Sequence, residues 1–148
     1  MKFSLFMMPC HHPTENPTLG FQRDIGLIHY AEELGFDEAY IGEHHSGGWE
    51  THPAPEMSLA MAAAKAQRIR LGTSVFSAPF HHPFHLAERM AFLDHLTHGR
   101  AILGVGPCSL VTDKMLFNME NEALYPMLHE AVDVIVRLLE ADEPISHH

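Results

Sequence analysis

Basic residues are scarce in this chain. Nine Lys and Arg stand against 19 Asp and Glu, a formal net charge of −10 with histidine neutral. A surface of that sign repels phosphate backbones and anionic lipid, so neither nucleic acid nor a membrane is an expected partner. No apolar stretch reaches the roughly 20 residues that a membrane helix needs. The opening segment, Met1 to Pro9, has neither the length nor the small-residue cleavage site of a secretory signal, and a cytoplasmic location is expected. Cysteine is rare as well. Cys10 and Cys108 are the two present, too far apart for a CxxC motif or a zinc knuckle, and both are expected as free buried thiols because cytosolic disulfides are uncommon. The segment after the first strand-like stretch, Pro9-Cys10-His11-His12-Pro13, has no glycine. That argues against a dinucleotide-binding turn.

What is present reads as one globular domain over residues 1–148, 46% hydrophobic and 19% charged. Strand-like and helix-like segments alternate four times. Strands are expected at Phe3–Met8, Asp37–Gly42, Ile69–Val75 and Arg100–Val105. Helices are expected at Gly20–Leu34, Pro55–Gln67, from Pro83 to the stop at Gly99, and at Glu122–Ala141. Ile25, Ile28, Ala31 and Leu34 recur at helical spacing, as do Leu128, Val132, Ile135 and Leu139. Gly35 stands where a helix ends in a left-handed residue. Strands separated by crossover helices must pair in parallel. Four βα units fit an open doubly wound sheet or half of a (β/α)₈ barrel, and periodicity does not decide between them.

In parallel α/β folds, ligands gather at the carboxyl ends of the strands. Three of the four loops expected there carry a His-His pair: His11-His12, His44-His45 and His81-His82. A metal site is one reading, since imidazole is a common ligand. Adjacent residues of an extended segment point to opposite faces, however, so each pair offers one inward ring at best. Proton transfer by His44, oriented by Glu43, is another. A plain loop-capping role for that pair is a third. Gly104 and Gly106 permit close approach of a flat ligand or tight backbone packing.

Taken in order, LGFDEAYIGEHH (Leu34–His45), IRLGTSV (Ile69–Val75), HPFHLAERMAFLDHLTHGR (His82–Arg100) and LGVGPC (Leu103–Cys108) resemble the bacterial luciferase-like flavin monooxygenases. The likeness is to the limonene-monooxygenase-like branch in particular, and runs from Met1 to about Ala141. It implies a (β/α)₈ TIM barrel using FMN, reduced by a flavin reductase or NAD(P)H, to oxidise a small hydrophobic substrate with O₂. A deazaflavin is the alternative cofactor. By the same resemblance His44 serves in proton transfer beside Glu43, and His45 lies near the flavin. Ser74-Val75 fall where a non-proline cis peptide underlies the flavin ring, and Gly104 and Gly106 lie close to it. Cys108 stands near the family's reactive cysteine position but is shifted, so that role is not carried over. Phe6, Phe76 and Phe80 are expected to line the substrate pocket, with Asp113 in the segment after strand four.

A whole barrel takes about 250 residues, so four units amount to its N-terminal half, truncated at the C-terminus. Two other readings stand beside the enzyme. One is a non-catalytic half-barrel that self-associates, as a homodimer, through Met57, Ala60, Met61, Ala64, Met90 and Leu93. The other is a metal-dependent hydrolase built on the histidines.

Overall fold

Asn16 and Pro17 set the start of the first helix. The Asn16 side chain accepts from the Thr18 N–H at 2.9 Å, and Pro17 fills the first helical position, where a missing N–H costs nothing. In the computed structural model, which describes residues 1–8 and 10–147, helix α1 therefore runs Pro17–Glu33, three residues longer at its start than the apolar spacing indicates. Gly35, at φ 89°, ends it as expected. Strands β1 (Ser4–Met7), β2 (Glu38–Ile41) and β3 (Arg70–Thr73) follow the expected order, with α2 (Pro55–Ala63) between the latter two. After Thr73 the strand path breaks at Ser74-Val75, whose peptide bond is cis, and resumes as β4 (Phe76–Ser77). Helix α3 (Pro83–Thr97) is capped by the His82 ring, which accepts from the Phe84 N–H at 3.2 Å. The fourth strand is also split, into β5 (Ala101–Ile102) and β6 (Val105–Gly106). A short helix, α4 (Val111–Leu116), then precedes α5 (Asn121–Glu140).

Among the described residues the strands pair in parallel, in the order β1-β2-β3-β5, with β4-β6 forming a short extension beyond the breaks; one isolated antiparallel bridge joins His44 to His52. That order decides what periodicity left open. A doubly wound sheet reverses direction after its first strands, whereas a barrel adds each strand beside the last. Here each strand is added beside the last.

Register separates the two faces. Leu5-Ala39-Leu71-Ala101 and Met7-Ile41-Thr73 form rows that face the helices, against Ile28, Leu59, Ala62, Leu86 and Leu93. The alternate row, Phe6-Tyr40-Gly72-Ile102, lies on the opposite, inner face. A Cβ at Gly72 would come within 2.6 Å of the Tyr40 ring, so glycine there makes room for an aromatic neighbour. On α5 the buried stripe is Leu124, Ala131, Val134 and Ile135. Of the four expected positions, Ile135 is buried and Leu128 packs against the core, whereas Val132 is only half-buried and Leu139 is exposed.

Candidate active site

The breaks in β3 and β5 are cross-linked to each other. Thr73 donates its hydroxyl to the Gly104 carbonyl at 2.9 Å and accepts the Gly104 N–H at 3.0 Å. A Cβ on Gly104 would collide with the Thr73 carbonyl, and one on Gly106 would meet Val75 Cγ2 at 2.6 Å. Of the two readings of these glycines, the structure favours packing: the space beside each is filled by this chain's own atoms. Ser74 and Val75 stay half-buried at the rim, with the Ser74 carbonyl 3.1 Å from where a Gly42 Cβ would stand.

Two buried carboxylates organise the rim. Asp113, fully buried, accepts from His44 Nδ1 at 2.9 Å, from the His45 N–H at 3.1 Å and from the Ser46 hydroxyl at 2.6 Å. Burial pushes its pKa up, but the Ser46, His44 and His45 hydrogen bonds outweigh it and hold the carboxyl below the ordinary value. An ionised Asp113 makes His44 the Nδ1–H tautomer, leaving Nε2 as the ring atom that exchanges a proton. The nearest carboxylate to that nitrogen, Glu50, is 3.8 Å away, beyond hydrogen-bond reach.

Glu43 forms the second centre. One oxygen meets His45 Nε2 and His81 Nε2, each at 2.7 Å, and the other accepts the Ser77 N–H at 2.8 Å. Burial raises its pKa too, and the His81, Ser77 and His45 interactions more than reverse the shift. Glu43 thus does not touch His44, contrary to the sequence expectation. The cause is strand alternation: consecutive residues at 43 and 44 face opposite ways, so the orienting carboxylate comes from α4 instead. Spacing gave no sign of Asp113's role, because α4 has only six residues and no apolar period to reveal it. His81 was visible as one member of a His-His pair but not as a Glu43 partner.

The other histidine pairs divide as extended backbone requires. His11 turns inward onto Asp24 at 2.7 Å, while His12 stays exposed beside Trp49. His81 turns inward and His82 caps α3. Among the described residues no group of three or more His, Cys, Asp or Glu side chains could hold a metal ion. Glu43 and Asp113 are each engaged by three donors of this chain.

The aromatic expectations divide as well. Phe80 stacks on Phe117 at 4.2 Å, and both rings meet the edge of His45. Phe6 is exposed on the inner face. Phe76 is fully buried against His81 and Arg89, so it belongs to the core and cannot line a pocket. Met90 and Leu93 are also core residues, which removes them from the expected self-association surface; Phe84, Phe92 and Leu96 are exposed on that helix, the last two beside Met57 and Ala60. Cys10 is exposed rather than buried, and Cys108 is buried with its thiol pKa pushed up by that burial.

Comparison with known proteins meets this geometry from another side. The chain is 43% identical to 4-hydroxyprotoasukamycin monooxygenase of Streptomyces nodosus subsp. asukaensis, over 99% of its own length and 39% of that enzyme's. It is 42% identical to limonene 1,2-monooxygenase of Rhodococcus erythropolis, over 93% and 35% respectively. The oxygenating constituent of 3,6-diketocamphane monooxygenase from Pseudomonas putida, solved in complex with FMN, superposes with a TM-score of 0.93 at 27% identity, covering all of this chain and 41% of that one. The chain thus spans about two fifths of the relatives it matches, as the N-terminal half of a barrel would. The model of the luciferase-like monooxygenases matches residues 1–148, and the chain belongs to that family.

Proposed function

We propose that this chain forms the histidine-lined half of an FMN-dependent monooxygenase site that oxidises a small hydrophobic organic molecule with O₂. The observation that carries the reading is His44, held through Nδ1 by a buried aspartate and left with Nε2 as its proton-exchanging atom. FMN, when bound, supplies oxygen activation once reduced by a flavin reductase or NAD(P)H. The protein's part is to orient, to exclude water and to move a proton. His44 Nε2 is the proton-transfer atom, and Asp113 fixes its tautomer. Glu43, buried one residue before, holds His45 and the β4 backbone in place. The donor set suits a flat heterocycle rather than a cation, because both carboxylates are already engaged. Ser74 and Val75 form the rim against which the ring would lie, with Gly104 and Gly106 packed against Thr73 and Val75 behind it, and Phe6, Phe80 and Phe117 offer apolar surface to a substrate.

Native mass spectrometry of the purified protein, with FMN and with a deazaflavin, tests this. Retention of FMN is the expected result, and a protein that holds neither cofactor would sink the proposal. In turnover assays His44→Asn lowers kcat about 100-fold, the scale of a lost proton-transfer group, with the fold unchanged. The same spectra read a second proposal. Met57, Met61, Phe92 and Leu96 expose an apolar face on α2 and α3, and self-association through it would appear as a dimer. A dimer without cofactor would favour the self-associating module over the enzyme.

A further inference from the structure

Arg89 lies two turns into α3, in the stretch that carries much of the family likeness, yet it has no place in the chemistry described so far. Three interactions fix its guanidinium. Nη1 donates to Glu56 Oε1 at 2.7 Å, Nε donates to the His85 carbonyl at 3.1 Å, and the group lies 5.8 Å from the Phe76 ring centroid. Nη2 then reaches His81 Nδ1 at 3.3 Å. A guanidinium has donors only and keeps its charge. His81 Nδ1 must therefore offer its lone pair.

We infer that Arg89 is a positioning residue for the site: by occupying His81 Nδ1, it confines the ring's proton to Nε2, the nitrogen that donates to Glu43. The Glu43 oxygen 2.7 Å from Nε2, which accepts and cannot donate while ionised, holds the same proton from the other side, so the part left to Arg89 is to keep a second proton off Nδ1. With His81 holding one proton, Glu43 keeps its negative charge facing His45, whose Nε2–H donates to the same oxygen. The chain Glu56–Arg89–His81–Glu43–His45 thus runs from the surface of α2 to the rim. Without Arg89, Glu43 still holds the Nε2 proton, and Nδ1 is open to a second one. That second proton makes the ring a cation, which draws the shared Glu43 oxygen toward itself. The stronger pull loosens the hold on His45, whose ring packs edge-on against Phe80 and Phe117.

The bearing on catalysis rests on the flavin reading above, whereas the ring assignment rests on geometry alone. Nitrogen-15 NMR of the histidine-labelled protein at neutral pH, without flavin, reads the assignment directly. The wild type is expected to show His81 with Nε2 protonated and Nδ1 bare. Arg89→Met should bring a proton onto Nδ1, and Arg89→Lys, which keeps a cationic donor, should restore the bare state. Because Glu56 would lose its partner, Arg89→Met is also made together with Glu56→Gln. A protonated Nδ1 in the wild type, or an unchanged ring in a folded Arg89→Met protein, overturns the inference; if neither Met variant folds, a protonated Nδ1 in the wild type still does. In turnover, Arg89→Met is expected to lower kcat about 10-fold with KM unchanged, and a rise in KM alone would rule out a positioning role. Failure to bind FMN with the ring assignment intact would remove the monooxygenase reading and leave this one standing.

Discussion

Glu38 and Glu43 stand at opposite ends of the second strand path, and both carboxylates are tied to several partners. At the amino end, Glu38 accepts from the Tyr40 hydroxyl at 2.7 Å, the Ser4 hydroxyl at 3.2 Å and Arg70 at 3.3 Å. At the carboxyl end, Glu43 is gripped by His45, His81 and the Ser77 amide. The two sets differ in burial and in the chemistry of their donors. A tyrosine, a serine and an arginine keep their protons throughout the working range of pH, whereas imidazoles exchange theirs within it. The same fold therefore carries a fixed clamp at one rim and a proton-exchanging one at the other. Parallel α/β folds place their chemistry at the carboxyl ends, and here the partner types alone would pick out that end.

The sharpest break in this comparison comes from removing the buried carboxylate. Glu43→Leu leaves the Ser77 N–H buried without an acceptor and strips two imidazoles of theirs. Breaking a buried charged network from one side costs on the order of 3 kcal/mol, measured as a shift in the urea midpoint. A loss below about 1 kcal/mol would mean that water reaches the cluster, and the contrast with Glu38 would then lie only in whether the partners exchange protons.

Much of this arrangement was legible in the residues. Gly35, Pro83 and the apolar spacing of Ile25, Ile28 and Ala31 marked elements that the structure contains. The parallel sheet followed from alternation, and the Ser74-Val75 position of the cis peptide followed from resemblance. Sequence reasoning failed where tertiary contacts override local pattern. Nothing in the spacing says that Asp113 reaches back across 69 residues to His44. Strand alternation could have excluded Glu43 as the partner of His44, since the same rule had been applied to the His-His pairs. Phe76 is expected at the pocket, yet its ring is fully buried against His81 and Arg89. Val132 and Leu139 were misplaced on α5 because apolar residues occur on more than one face of that helix, and Val136 and Leu139 remain exposed.

Acid provides a gentler test. Glu43 and Asp113 both have folded pKa values below their ordinary ones of 4.5 and 3.8. Groups depressed in this way contribute stability in full above the unfolded value and lose it as pH falls through the folded one. Stability should therefore hold down to about pH 4.5 and then decline, with both clusters involved. In Glu43→Leu the decline should be shallower, because one of the two depressed carboxyls is gone. An equal slope in the two proteins, measured by urea titration at stepped pH, would contradict the assignment of a depressed pKa to Glu43.

The smallest effect is expected at the amino end. The Tyr40 hydrogen bond, helped by Ser4 and Arg70, lowers the Glu38 pKa against the opposing effect of desolvation, but the Arg70 side chain is half exposed and its pair with Glu38 is screened there. Glu38→Gln keeps an oxygen that can accept from Tyr40 and Ser4 and gives up only the ion pair. Exposed pairs of this kind contribute between about 0 and 1 kcal/mol, so the urea midpoint should barely move. Added salt should narrow even that difference, since screening weakens an exposed pair and leaves a buried one nearly untouched. If Glu38→Gln instead costs as much as Glu43→Leu, the amino-end clamp is buried in the protein as it exists, through closure of the barrel over the inner face or through a partner. The two rims would then differ only in whether their donors can exchange protons, and that difference alone would have to account for where the chemistry sits.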